Sequence, residues 1–218
     1  MSNKLVVLGC SHLGHRNADI YKLQKYLDMG ADLIDIGDTF EAGVPDKKAK
    51  AMEQVMSLDE QYHMGLDMYA GHKVLAKCTS NHSNRVWESI GFDFDKAFCR
   101  DLKIPYFEAR GQIKWNGYKI SFHHGYGSGM NEWKDAKEVL NVYPDSDIVL
   151  VSHKHFMAHK TFYNYLNGNR HETHFIRTGS VLDNARYARV ANYEPNYPGF
   201  SVIEVGPNGL SVDITGRI

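Results

Sequence analysis

Several features that would assign the chain to a familiar class are missing. Its 218 residues hold only three cysteines, Cys10, Cys78 and Cys99, too few and too scattered for a disulfide framework. No apolar run approaches the ~20 residues that a bilayer span requires. Met1-Ser2-Asn3-Lys4 leads straight into an apolar stretch, without the segments of a secretory leader. An excess of charge of one sign is also absent. The 25 lysines and arginines against 26 aspartates and glutamates give a formal net charge of −1, which argues against a broad basic face for nucleic acid. Neither repeats nor a low-complexity linker divide the sequence. The expectation is a cytoplasmic protein with one domain over residues 1–218, long enough for a single buried core.

Histidine, by contrast, is plentiful, with 12 copies; it is the commonest side-chain metal ligand and a frequent acid–base group. Position decides whether that matters. The run Leu5-Val6-Val7-Leu8 stops at Gly9 and is followed by Cys10-Ser11-His12. A buried strand whose C-terminal edge carries such residues is where an α/β protein places chemistry. The same pattern recurs along the chain. Leu33 to Ile36 leads to Gly37-Asp38, Lys73 to Ala76 exits through Lys77-Cys78 to Asn81-His82, Tyr118 to Phe122 meets His123-His124, and Ile148 to Val151 meets Ser152-His153-Lys154-His155.

Between these strands the spacing predicts helices over Asn17 to Met29, over Lys47 to Met68 with a break near Ser57 to Asp59, over Asn84 to Gly91, over Asp95 to Leu102 and over Asn131 to Leu140. Trp115-Asn116-Gly117 predicts a hairpin turn between Glu108 to Lys114 and Tyr118 to Phe122. From about Lys160 onward short strands are expected, among them Thr173 to Arg177, Phe200 to Val205 and Leu210 to Ile214. Helices alternate with strands early and strands dominate late, which suggests sheets with helices outside. Side chains from five strand ends could build a cage of N, O and S donors. Two divalent ions roughly 3.5–4 Å apart suit that number of ligands.

These ordered motifs resemble those of the calcineurin-like metallophosphoesterase superfamily: Asp-x-His, Gly-Asp, Gly-Asn-His, His followed by Gly, and Gly-His-x-His, here spread over residues 10 to 155. The tail, Phe175 to Ser180 and Pro198 to Val205, is similar to the closing strands of small single-domain bacterial and phage members. The resemblance implies an α/β fold of four layers, αββα, in which a two-sheet β-sandwich is flanked by helices. It implies that Cys10, His12 and His155 bind one metal, that Asp38 bridges to a second, and that Asn81, His124 and His153 complete the second. It also implies that His82 assists the leaving group while a metal-bridging hydroxide attacks a phosphomonoester or phosphodiester. Small phosphoesters or nucleotides rank ahead of DNA as substrates, and no membrane partner is expected. A scaffold that keeps the fold without catalysis is the other class, and the near-complete ligand set counts against it.

Single residues keep plainer alternatives at this level. Asp38 could be a turn or N-cap aspartate and Asn81 an Asx turn. Either His123 or His124 could face the site, since neighbours on a strand alternate; the glycine that follows favours His124. His15, Arg16 and Arg85 flank motifs and could touch substrate phosphate. His159, His171 and His174 are expected on the surface or a hairpin, Cys78 and Cys99 in the core, and Trp87, Trp115 and Trp133 in packing. Four departures from the family pattern stand out: Cys10 for aspartate, Ser80 and Ser152 for glycines, and Ser83 for an acidic residue. Glu41 also falls three residues after Asp38, where many members carry an acidic or polar group. A thiolate at position 10 favours Zn²⁺ or iron over Mg²⁺ and Mn²⁺; alternatively Cys10 points into the core and the first site is weakened.

Overall fold

Runs of Val, Ile, Leu and Phe assemble two mixed sheets in the computed structural model, which describes residues 2–44, 53–125, 132–183 and 198–217. In chain order the first half comprises β1 (Lys4–Leu8), α1 (Ile20–Leu27), β2 (Asp32–Asp35), α2 (Leu58–Tyr69), β3 (Val74–Cys78), α3 (Asn81–Ile90), α4 (Phe94–Leu102) and β4 (Tyr106–Phe107). The second half comprises β5 (Arg110–Trp115), β6 (Tyr118–His123), α5 (Glu132–Leu140), β7 (Ile148–Val151), β8 (Ala158–Leu166), β9 (Asn169–Arg177), β10 (Ser201–Gly206) and β11 (Gly209–Asp213). One sheet runs β11-β10-β1-β2-β3-β4 and the other β5-β6-β7-β9-β8.

Alternation along each strand sorts its side chains into layers. Leu5 and Val7 of β1 point between the sheets, where they join Ile34, Ala76, Ile120, Phe122, Ile148, Leu150 and Ile176 in one cluster. Val6 and Leu8 point outward and pack with Leu23 and Tyr26 of α1, Tyr69 of α2, Val86 of α3 and Phe98 of α4. On the far side, Ala136 and Val139 of α5 cover Val149, Val151 and Phe175. The four-layer αββα order expected from the sequence is the one observed. Strands β1, β2 and β3 are mutually parallel, as are β6, β7 and β9, so each set delivers its C-terminal ends to one edge. No helix among the described residues is long and apolar enough to cross a membrane.

Several boundaries differ from expectation for identifiable reasons. The helix predicted from Lys47 begins only at Leu58 among the described residues, because Ser57 and Glu60 form a reciprocal capping box there. Residues 47–52 lie outside the described residues, and Glu53 to Ser57 form a loop against the loop after β1, with Val55 N–H donating to Gly14 C=O (2.8 Å) and Gln54 in a β-bridge with His15. Helix α3 starts at Asn81, not Asn84. The tail contains a hairpin of two nine-residue strands, β8 with β9, in register from Ala158–Arg177 to Leu166–Asn169. Lys160 and Asn164 interrupt the apolar pattern of β8, which hid it. Trp115 is buried and donates Nε1–H to Asp32 (2.9 Å), whereas Trp87 is 54% exposed and does not serve packing as expected. The Trp133 side chain lies outside the described residues.

Candidate metal centre

Three walls meet at the sheet edge, and main-chain hydrogen bonds fasten them. The loops leaving β1 and β2 are zipped together: Cys10 N–H donates to Gly37 C=O (2.8 Å), His12 to Asp38 (2.9 Å) and Leu13 to Thr39 (2.8 Å). The loops leaving β6 and β7 are joined by Ser152 N–H donating to His124 C=O (3.0 Å). The third wall is the N-terminus of α3, where the His82 N–H donates to Asp38 Oδ1 (3.2 Å). Gly37 lets the walls approach, because a Cβ there would come within 2.7 Å of Ser80 Cβ and 2.9 Å of His124 Nδ1.

Within this frame the side chains form a floor and a rim. Cys10, His12, Asp38 and His124 are buried; Asn81, His82, His153 and His155 are half-buried. Asp38 Oδ2 lies 3.1 Å from His124 Nε2, 3.9 Å from His82 Nε2 and 4.0 Å from His12 Nε2. His12 Nε2 is 3.3 Å from His155 Nε2, and His153 Nδ1 is 3.3 Å from His124 Nε2. The ligand atoms of Cys10, His12 and His155 lie within 4.8 Å of one another, as do those of Cys10, Asp38 and His124.

Backbone strain is concentrated here. Cys10 (φ 54°), His12 (49°), Asp38 (51°), His153 (70°) and His155 (57°) all occupy the left-handed region, which costs a residue with a Cβ ~1–3 kcal/mol and persists where the surroundings enforce it, typically at functional sites. The tautomers are set as well. His12 Nδ1–H donates to Glu41 Oε2 (3.0 Å) and His124 Nδ1–H donates to Ile36 C=O (2.8 Å), so both rings present Nε2 inward. Partners of this kind orient metal-ligating imidazoles. Burial lowers His82 and His153 to about 4 each, leaving neutral rings at pH 7, the form that binds a cation. Burial also pushes His124 downward, but Asp38, 3.1 Å from its Nε2, outweighs it and raises the imidazole above the ordinary histidine value. Asp38 is correspondingly held well below the usual carboxylate range, His124 and His82 overcoming the opposite push of burial.

The donor set fits divalent or transition metals. The most direct sign is Asn81 Oδ1, which is buried without a hydrogen-bond partner, a costly state for an amide oxygen unless a cation or water meets it. Ser80, the N-cap of α3, makes no side-chain capping bond; the first turn of α3 is instead met by Asp38 through the His82 N–H. Of the two histidines at the β6 end, His124 faces Asp38, while His123 turns away and accepts from Gly125 N–H (3.1 Å). Cys78 and Cys99 lie in the apolar clusters, but Cys10 belongs to neither; its sulfur lies 3.0 Å from Ser152 Oγ. The sulfur is fully buried, yet it lies within 4.8 Å of the ligand atoms of His12, His155, Asp38 and His124.

Among the flanking residues, the Arg85 guanidinium lies 3.4 Å from His82 Nδ1. His15 is turned aside, with Nδ1 accepting from Asn17 N–H (3.0 Å) and Nε2 3.7 Å from Glu53, and Arg16 is exposed. His159 and His174 stack on the β8–β9 hairpin, away from the cluster. Glu41, noted in the sequence only for its spacing from Asp38, takes a definite role here. Besides holding His12, its carbonyl accepts from His82 Nδ1–H (2.7 Å), and burial, which alone would raise its carboxyl, is overcome by His12 so that it stays ionised. Its spacing from Asp38 was the available signal.

No protein-family model and no curated protein matches the chain. Solved structures do. Vps29 from Entamoeba histolytica, complexed with zinc, aligns with 17% identity over 96% of this chain and 89% of its own, with a TM-score of 0.51. An archaeal phosphodiesterase aligns with 11% identity over 97% and 99%, also at 0.51. Vps29 from Chaetomium thermophilum aligns with 15% identity over 96% and 94%, again at 0.51. At such identities the likeness is one of fold: the chain has the calcineurin-like metallophosphoesterase fold.

Proposed function

We propose that the protein is a dinuclear metal-dependent phosphoesterase acting on small phosphomonoesters or phosphodiesters. The observation that carries this reading is the convergence of buried and half-buried donors from five strand ends, with imidazole tautomers set by Glu41 and Ile36 and with Asn81 Oδ1 buried without a hydrogen-bond partner. In it, Cys10, His12 and His155 would hold one ion and Asn81, His124 and His153 the second, with the Asp38 carboxylate beside them. When bound, the ions supply Lewis-acid chemistry, lowering the pKa of water and neutralising charge on phosphoryl oxygens.

The chain's own residues do the rest. The strained loops fix the donors before substrate arrives, which spares reorganisation in the transition state. His82 is anchored through Nδ1 to the Glu41 carbonyl, so its free Nε2 sits at the rim beside Asp38. To give a proton to a leaving group the ring must first take one, and a phosphoester dianion beside it favours that uptake. Arg85, next to the same ring, is placed to pair with a phosphoryl oxygen; His15, engaged by Glu53, and exposed Arg16 are worse placed. A phosphodiesterase among the proteins of like fold makes diesters the first substrates to try. The test loads purified protein with Zn²⁺, Mn²⁺ or Fe²⁺ and assays p-nitrophenyl phosphate, its bis-ester and a nucleotide panel. Turnover that chelation abolishes is expected; two bound ions with no turnover on any substrate would refute catalysis and leave a metal-holding scaffold.

A further inference from the structure

The resemblance assigns the shared-ligand role to the Asp38 carboxylate and gives position 10 a single metal. The geometry divides the labour differently. Three trios of ligand atoms are close enough to close on an ion: Cys10 with His12 and His155, Cys10 with Asp38 and His124, and His12 with Glu41 and His82. In the third, His12 meets Glu41 through Nδ1; the atom common to the other two is the Cys10 sulfur. Asp38 joins only the second trio, although its Oδ2 also lies 4.0 Å from His12 Nε2, so the carboxylate stands beside the sulfur between the two positions.

The sulfur is also aimed, not merely buried. Its backbone is held in the left-handed region at φ 54°, with the N–H given to Gly37 C=O (2.8 Å) and the C=O receiving Ser180 Oγ–H (2.7 Å). The Ser152 hydroxyl, 3.0 Å away, steadies it from the β7 side. That approach depends on Gly9, where a Cβ would lie 2.5 Å from Ser152 Oγ. The residue that replaces a family glycine therefore supports the residue that replaces a family aspartate. A thiolate carries several lone pairs on one large, polarisable atom, so a single sulfur can serve two cations, and it prefers zinc or iron to magnesium or manganese.

We propose that Cys10 Sγ bridges the two ions, so that both positions, not one, select thiophilic metals. This rests on the dinuclear reading given above, and the test separates the two. Metal-free protein is loaded with two equivalents of ¹¹³Cd²⁺ and examined by cadmium NMR, alongside Co²⁺ titration followed by thiolate-to-cobalt absorption. A bridging sulfur shifts both cadmium resonances downfield, and the cobalt absorption grows through both equivalents. Cys10→Ser removes the shift from both signals, and Cys10→Asp moves metal preference toward Mn²⁺ at both positions. One shifted resonance of two would overturn the bridge in favour of a terminal ligand. Two ions with no sulfur signature would overturn ligation by Cys10 while leaving the dinuclear reading intact. Binding of fewer than two ions would overturn both. The wild-type spectra decide the matter even where a variant fails to fold.

Discussion

At the scale of single residues, the site depends on groups that touch the donors as much as on the donors themselves. Glu41 accepts the Nδ1 proton of His12 and anchors His82 through its carbonyl. Glu41→Ala should therefore weaken metal binding ~10–100-fold, the usual cost of losing such a partner, measured by competition against a chromophoric chelator. Glu41→Gln, which still offers a carbonyl to His12, should fall between the variant and wild type; equal losses would mean the charge alone matters. His82 makes a different prediction. Its own trio is with His12 and Glu41, apart from Cys10 and Asp38, so His82→Ala should retain the ions held by those two residues yet lose ~10²–10⁴-fold in turnover, the usual share of a positioned acid–base group. Metal content by elemental analysis together with kcat checks both halves, and unchanged turnover removes its role. The strand-end ligands were legible because a polar residue directly after an apolar run is conspicuous. Glu41 was not, since its contact to His12 exists only once the β1 and β2 loops are zipped.

At the scale of elements, the Asp38 loop rests on a buried polar knot that sequence reasoning passed by. Asp35, the last residue of β2, accepts from Gly37 N–H (2.9 Å), Thr39 Oγ1–H (2.7 Å) and Tyr69 O–H (2.9 Å). Lys77, expected at the exit of β3, lies within it, fully buried, with Nζ 3.0 Å from Asp95 of α4 and 3.5 Å from Asp35. Burial pushes the ammonium toward neutrality, but Asp35 and Asp95 outweigh it and hold the proton well above the usual lysine value. Its contribution is thus fully present at neutral pH and lost only in strong alkali. Lys77→Met leaves two carboxylates buried without a cation, at a cost of ~3–5 kcal/mol. Burial already raises the Asp95 carboxyl, and Lys77 restrains that rise. Without Lys77 the folded state binds protons more readily than the unfolded chain, so the variant regains stability as pH falls toward the carboxylate range. Urea unfolding at pH 7 and pH 5 should show the deficit shrinking; a constant deficit would assign the loss to packing. A lysine between apolar neighbours reads as a strand end, and only the approach of α2 and α4 makes it a core residue. The boundary of α2, by contrast, was available in Ser57-x-x-Glu60, and the long β8–β9 hairpin was hidden because Lys160 and Asn164 interrupt the apolar pattern of β8.

At the scale of the whole molecule, two parallel strand sets bring five ligand-bearing loops to one edge, and the sandwich core between Val7, Ile34, Phe122 and Leu150 holds that edge rigid. The same rigidity maintains left-handed backbone at Cys10, His12, Asp38, His153 and His155. Each such residue stores ~1–3 kcal/mol, so the metal-free fold carries strain at its ligand edge that metal binding offsets. Because the donors are assembled only in the folded chain, an ion that binds it stabilises by about 2.7 kcal/mol at a hundred times its Kd. For a chain of this length that corresponds to roughly 5–11 °C in Tm. Calorimetry of chelator-treated protein should show a melting temperature lower by about this amount, restored by Zn²⁺ and much less by Mg²⁺, since the imidazole and thiolate donors favour the former. Unfolding must be followed under reducing conditions, because Cys10, Cys78 and Cys99 are free thiols exposed on melting. If Zn²⁺ and Mg²⁺ restored Tm equally, the soft donors would not be setting the choice of ion. If neither moved it, the strained loops would be serving the fold alone, and the phosphoesterase reading would lose its physical basis.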